Sequence, residues 1–354
     1  MNRKRTAILL AACMGITTFA GCNSEEKKIY EQAEQDLQQE NYNDALTGYE
    51  ASVSNGVKMA QSYRGAGVAN FRLGKYEAAI EDFTNALGCE KVGKALRRDI
   101  LSYRASSYMK IKSYDEAMAD CQTLAEEYEM DTDLYFLTGK VALAMDAYEE
   151  AASNFEQAYG EEASYDMAIQ IYETYLEKDM EADGTRYLEA ALSADAKSAE
   201  DHCNRGRVYY YMNDYENAQK ELTEAADGGN VEAVLLMGMV YMEQGDTANA
   251  RTRFQEYVSK ADNAAKGYNG LVRCDIEDGN YDSALANVSS GVAEANAQDM
   301  QNLLYNEIVV YEKKLDFTTA LQKAQAYMEM FPDDKTVKKE MTFLKTRVNE
   351  ANAQ

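Results

Sequence analysis

Between residues 41 and 324 one phrase returns nine times. Anchored at Ala45, Ala79, Ala117, Ala151, Gly184, Ala218, Ala250, Ala284 and Ala320, the copies lie 34, 38, 34, 33, 34, 32, 34 and 36 residues apart. A period of this size leaves few folds open, because each copy is one supersecondary unit whose apolar face only its neighbours can bury.

Fixed positions within the unit say what that unit is. Four residues after each anchor stand Tyr49, Phe83, Cys121, Phe155, Leu188, Leu222, Phe254, Val288 and Ala324, one helical turn on and so on the same face. That face is predicted to be core. Twelve before the anchor the residue is small in six units (Ala33, Gly67, Ala105, Gly139, Gly206, Gly238), and sixteen before it is mostly large, from Ile29 to Leu304. These positions predict a preceding helix whose large residue fills the core and whose small one admits the partner helix. Turns such as 73–76 "LGKY" and 243–246 "EQGD" join the two. One proline, no tryptophan and 27 tyrosines fit helix almost throughout.

Large residue, small residue, then Gly-x-Tyr-x-x-Ala, an aromatic and Ala resembles the tetratricopeptide repeat. The second copy matches best, with Tyr63, Gly67, Gly74, Tyr76, Ala79, Phe83 and Ala86 in place, and the resemblance extends over about residues 26–332. It implies an all-α fold, a right-handed superhelical solenoid of about nine helix-turn-helix units closed by a C-terminal capping helix from Asp334 to about Asn349. Departures from the pattern are few. The family's proline between repeats survives only at Pro332, the fifth unit has Tyr172 where a small residue belongs and Gly184 as anchor, and the step after Ala79 carries four extra residues around "EKVGKALRRD".

The start of the chain reads as an address. Arg3, Lys4 and Arg5 precede an apolar stretch from Ala7 to Ala20 that ends in "TFAGC", the secretory pattern and too short for a membrane span. Ala20-Gly21 before Cys22 resembles a bacterial lipobox, which implies lipidation of Cys22; a plain signal peptide with an incidental cysteine is the alternative. The expected organisation is a signal peptide at 1–21, a short tether at 22–25 with Ser24 as helix cap, the repeats at 26–332 and the capping helix and tail at 333–354. The protein is then held at the extracytoplasmic face of a bacterial membrane or envelope. Cys89, Cys121, Cys203 and Cys274 remain, and their scatter favours unpaired, mostly buried thiols over a disulfide framework.

The formal charge is −25, and −28 without the first 21 residues. A surface this acidic repels phosphate, which argues against nucleic acid or a polybasic hold on lipid. Chemistry is equally scarce. His202, the only histidine, falls on a core position, "EMDTD" at 129–133 lacks the glycine and spacing of a calcium loop, and no Ser or Cys has a base to activate it. We therefore expect no catalytic residue, no metal, no cofactor and no enzyme activity.

One stripe remains for contact. Positions 18, 15, 11, 8 and 7 before each anchor share a face of the first helix away from the core stripe. The family resemblance implies that this face lines a concave groove for partner segments. The stripe collects Arg64, Val68, Phe71 and Arg72, then Phe136 and Lys140, then Arg207, Tyr210 and Tyr211, then Met239 and Met242, and Arg273. Tyr30, Leu143, Ile169 and Leu235 fall on it as well. Its 45 positions hold nine basic and eleven acidic residues, close to neutral in a strongly acidic chain. The reading is a monomeric, lipid-anchored scaffold that binds a protein or peptide in this groove. A small-ligand or glycan-binding lipoprotein that uses the tyrosines is the alternative. Apolar stripe residues could also pack only against neighbouring helices, and its arginines could meet carboxylates of this chain as well as those of a partner.

Overall fold

The structure, a computed structural model, describes residues 25–352 except 194 and 333. The expected signal sequence, the expected lipidation site Cys22 and the expected helix cap Ser24 lie outside the described residues. Those described form nineteen helices and no strand, divided between two compact units, Met1–Met130 and Asp131–Gln354.

The first unit holds three helical hairpins. They are α1 (25–38) with α2 (Tyr42–Ser54), α3 (Met59–Arg72) with α4 (Tyr76–Leu87), and α5 (Lys94–Lys110) with α6 (Tyr114–Glu127). The second holds six more, beginning with α7 (Thr132–Ala144) and α8 (Tyr148–Glu161), α9 (Tyr165–Leu176) and α10 (Glu181–Ala191), and α11 (Ala199–Tyr211) and α12 (Tyr215–Asp227). It continues with α13 (Val231–Glu243) and α14 (Thr247–Lys260), α15 (Ala265–Glu277) and α16 (Tyr281–Val292), α17 (Ala297–Lys313) and α18 (Phe317–Met330), and ends in α19 (Lys335–Asn352). Within each unit sequential helices pack, and so do successive first helices such as α11, α13 and α15. The extra residues after Ala79 lengthen α5 to 17 residues.

The turn inside every hairpin is the same. Five residues before the anchor the backbone is left-handed in all nine: at Gly74, Gly245 and Gly279, at Asp146, Asp179 and Asn213, and at Glu40, Lys112 and Leu315. The next residue donates its N–H to the carbonyl five positions earlier, as in Lys75 to Asn70 (2.9 Å), Asp214 to Tyr209 (2.9 Å) and Asp316 to Tyr311 (2.9 Å). This 6→1 bond satisfies a carbonyl that the helix end would otherwise strand, and the left-handed residue is what lets it form. Glycine, asparagine and aspartate advertise that conformation in six units; Glu40, Lys112 and Leu315 do not.

Every anchor is buried, and so is every residue four positions on. The small residue twelve before the anchor works by absence: a β-carbon on Gly67 would lie 2.6 Å from the Phe83 ring, one on Gly139 2.7 Å from Phe155 and one on Gly238 2.5 Å from Phe254. In the fifth unit the volumes are exchanged. Tyr172 is buried and Gly184 faces it, with room for no β-carbon beyond 2.9 Å from the Tyr172 backbone. The ninth unit repeats the exchange with Ile308 and Ala324.

The position sixteen before the anchor fills the core less than expected. Leu101, Ala168 and Val234 are buried, whereas Ile29, Tyr63, Tyr135, His202, Tyr268 and Leu304 are only partly so. Positions 17 and 10 before the anchor carry that burial instead. Ala233 and Val240 join Leu222 of the preceding hairpin, Cys274 joins Phe254, and Leu303 and Val310 join Val288. First helices such as α13, α15 and α17 are therefore covered on two sides, by their own partner and by the hairpin before them. In α19, Val337 and Leu344 repeat the seven-residue step against Ile308 and Ala324, which closes the stack.

Candidate functional site

Helix α3 carries Arg64, Val68, Phe71 and Arg72. Val68 does not line a surface: it is 5% exposed and shut in by Phe83 and Ile100, because α5 stacks over it. Phe71 is half-buried, edge-on to Tyr76 (5.5 Å) and Tyr103 (5.8 Å), and Arg72 is exposed. Arg64 grips Asp99 of α5 through both Nε (2.6 Å) and a terminal nitrogen (3.1 Å). Its charge is thus met from the stripe of the next hairpin.

In the second unit the stripe residues fall into two groups. Phe136 and Lys140 sit on α7, where the ammonium lies 5.3 Å from the ring centroid and the ring packs against Phe155. Arg207, Tyr210 and Tyr211 sit on α11, Met239 and Met242 on α13 and Arg273 on α15, three helices in side-by-side contact. Ile169 and Leu235, also expected on this face, are buried, as are Tyr30 and Leu143. The hairpin that follows covers such positions: Tyr30 packs with Ala66 and Ala69 of α3, and Leu235 with Leu271 of α15.

The α11–α13–α15 group is knit by phenols and carboxylates. Tyr211 Oη donates to Glu173 of α9 at 2.7 Å, and its ring stands edge-on to Tyr210 (5.9 Å, 81°) and to Tyr172 (6.2 Å, 73°). Burial first, then the Glu173 hydrogen bond, pushes the Tyr211 hydroxyl well above the ordinary phenol range. Tyr210 is raised by burial and then by the charge of Glu243, from the opposite neighbour α13. Arg273 lies 3.7 Å from that same Glu243. Arg207 pairs with Asp166 and donates to Asn204 at 3.1 Å, while its Nε is buried without a hydrogen bond. Met239 bridges two core clusters, and the Met242 sulfur lies 3.3 Å from the Cys274 thiol.

Asp99, Asp166, Glu173 and Glu243 were absent from the sequence reading of the site. They lie 30 to 41 residues from their partners, about one repeat, so a search of the stripes of adjacent repeats for opposite charges, and for a phenol opposite a carboxylate, would have found them.

The remaining candidate groups have structural roles. His202 is partly buried, its Nδ1 2.6 Å from Glu221, which also accepts from Arg205 at 3.1 Å. Burial pushes the Glu221 carboxyl up, but these two hydrogen bonds outweigh it and hold it below the usual range. Asp131 of the "EMDTD" stretch caps α7 by accepting from the Leu134 amide. Cys89, Cys121, Cys203 and Cys274 form no disulfide with one another, and burial pushes Cys203 and Cys274 up to about 11.

Residues 30–89 and 203–267 match the tetratricopeptide repeat family model. A 90-residue stretch is 33% identical to "Tetratricopeptide repeat protein 12" of Homo sapiens, covering 25% of this chain and 12% of that protein. Among solved structures, a tetratricopeptide repeat protein from Parabacteroides merdae is 16% identical over 70% of this chain and 98% of its own, with a TM-score of 0.43. The pilF protein of Pseudomonas aeruginosa is 17% identical over 60% of this chain and 96% of its own, with a TM-score of 0.38. Tetratricopeptide repeats are supported in this chain, and its all-α repeat architecture agrees with them.

Proposed function

We propose that this array of tetratricopeptide-type hairpins is a non-catalytic, lipid-anchored scaffold at the extracytoplasmic face of a bacterial envelope, and that it binds another protein on the first-helix face of residues 131–354. The observation that carries the reading is the α11–α13–α15 group: half-buried tyrosines and methionines from two adjacent repeats with Arg273 from a third, ringed by charge and tied to the preceding repeat by the Tyr211–Glu173 hydrogen bond, on helices stacked side by side. Preorganised aromatic and Met side chains of this kind are what protein interfaces enrich. The first 22 residues supply the anchor, and the −28 charge of the rest speaks against nucleic acid.

Capture from detergent-solubilised envelope, with the full-length protein as bait, tests the reading. Saturable capture of a protein that Tyr210→Ala/Tyr211→Ala abolishes supports it. The tyrosine box also suits a small ligand or glycan. No capture, together with thermal stabilisation by wall fragments, would favour that second reading.

A further inference from the structure

The stripe of residues 131–354 has the charge of a receptor for cations. Its thirty positions hold nine carboxylates and five basic residues. Three of the five, Arg207, Lys266 and Arg273, already face the stripe carboxylates Asp166, Glu232 and Glu243. Six carboxylates then stand against two cations, so the arginines offer little to an acidic partner.

Geometry sharpens the choice at α11. Adjacent tyrosines reach opposite ways, Tyr211 to Glu173 of the preceding repeat at 2.7 Å and Tyr210 toward Glu243 of the following one. The two rings meet at 81° and form two walls of a box, with half-buried Met239 packed against the same core cluster as Tyr210. Glu173 and Glu243 are both exposed, and the Glu243–Arg273 contact is loose at 3.7 Å. A guest ammonium or guanidinium placed there meets a ring face and a carboxylate together, and its alkyl stem meets methionine.

We propose that the Tyr210–Tyr211 box receives a lysine or arginine side chain of a partner polypeptide, so that the occupant of this face is a basic segment. The inference rests on the protein-binding reading above and gives that partner its chemistry.

Fluorescence anisotropy with the full-length protein in detergent tests it, using two labelled dodecapeptides, one of alternating Lys and Ser and one of alternating Glu and Ser, at about 0.1 M salt, where the Debye length is about 10 Å. The Lys–Ser peptide should bind at least tenfold tighter than its acidic counterpart. Glu173→Gln/Glu243→Gln, which keeps shape and one carbonyl acceptor while removing the charge, and Tyr210→Ala/Tyr211→Ala should each weaken it at least tenfold. Glu149→Gln/Glu150→Gln, equal in charge change and exposed on α8, should change it less than twofold. Far-UV circular dichroism confirms the fold of each variant, and the glutamine pair serves if the alanine pair unfolds. Equal loss in both glutamine pairs would mean that only the overall negative field attracts the peptide, and would overturn the proposal. Equal affinity for the two peptides, or preference for the acidic one, would do the same. Envelope-protein capture that survives such a result leaves the scaffold reading intact, so the two failures are distinguishable.

Discussion

Gly270 of α15 stands where a β-carbon would lie 2.5 Å from the ring of Phe254 in the preceding hairpin. Gly238 crowds the same ring from its own hairpin, also at 2.5 Å, so Phe254 is held between two repeats by two missing methyl groups. Gly270→Ala should destabilise the protein by about 1–3 kcal/mol through overpacking, despite the roughly 1 kcal/mol that alanine gains in a helix. Gly160→Ala on α8, where nothing lies within 4 Å of an added β-carbon, should instead stabilise by about 0.5–1 kcal/mol. Urea melts followed by circular dichroism read both, and a neutral Gly270→Ala would show that the interface yields.

Leu315 has a φ of 60° and is 73% exposed. A left-handed leucine costs roughly 1–2 kcal/mol and its side chain returns little there. Leu315→Gly should raise the urea midpoint with a gain of about 1 kcal/mol, and Gly279→Leu at the equivalent turn should lower it by as much or more. A loss of stability in Leu315→Gly would mean that the leucine makes contacts that offset its backbone.

Asp82 supplies a pH signature. Burial pushes its carboxyl up to about 6, opposed by the Asn70 amide donating at 2.8 Å and reinforced by Glu50 and Glu81. Against an unfolded value of about 3.9, the folded state binds this proton more readily, so its contribution is full below about pH 4 and is lost as pH rises through 6. Asp82→Asn removes the dependence. The variant should match the parent near pH 4 and exceed it at pH 7 by on the order of 1–2 kcal/mol, allowing for partial exposure. A constant gap across that window would rule out titration of Asp82.

Ion pairs should separate by burial. Arg104 meets Asp120, itself 4% exposed, through two hydrogen bonds of 2.9 and 2.6 Å. Arg104→Ala strands a buried carboxylate and should cost about 3–5 kcal/mol. Arg273→Ala, at a 43% exposed side chain with a 3.7 Å contact, should cost less than about 1 kcal/mol. Comparable losses in the two variants would contradict this ranking.

The anchor has its own test. Cys22→Ser should leave an exported protein that no longer partitions with membranes in detergent phase separation. A variant that stays membrane-bound after signal removal would defeat the lipobox reading.

The anchors, the residues four beyond them and the small residue twelve before them were legible in the sequence because a helix repeats its faces locally. Three intra-repeat glycines marked their turns for a similar reason. The turns at Glu40, Lys112 and Leu315 were not, since their left-handed backbone is imposed by the hydrogen bonds on either side and the side chain records nothing of it. Ser107 and Thr174 hid a buried position: each hydroxyl donates to a carbonyl one turn earlier, so a polar residue satisfies the interior.

Binding residues divide along the same line. The stripe on α11, α13 and α15 followed from helical spacing, as did its neutral balance over the whole chain. Only the stacked structure decided that Val68 is core, that Arg64, Arg207 and Arg273 face carboxylates of their own chain, and that Tyr211 and Glu173 meet. Sequence alone determined the unit, its two helices and the face each must bury, because those depend on neighbours three and four residues away. Which charges cancel and which surface stays open depends on residues some 35 positions apart, brought together by the packing of one hairpin on the next.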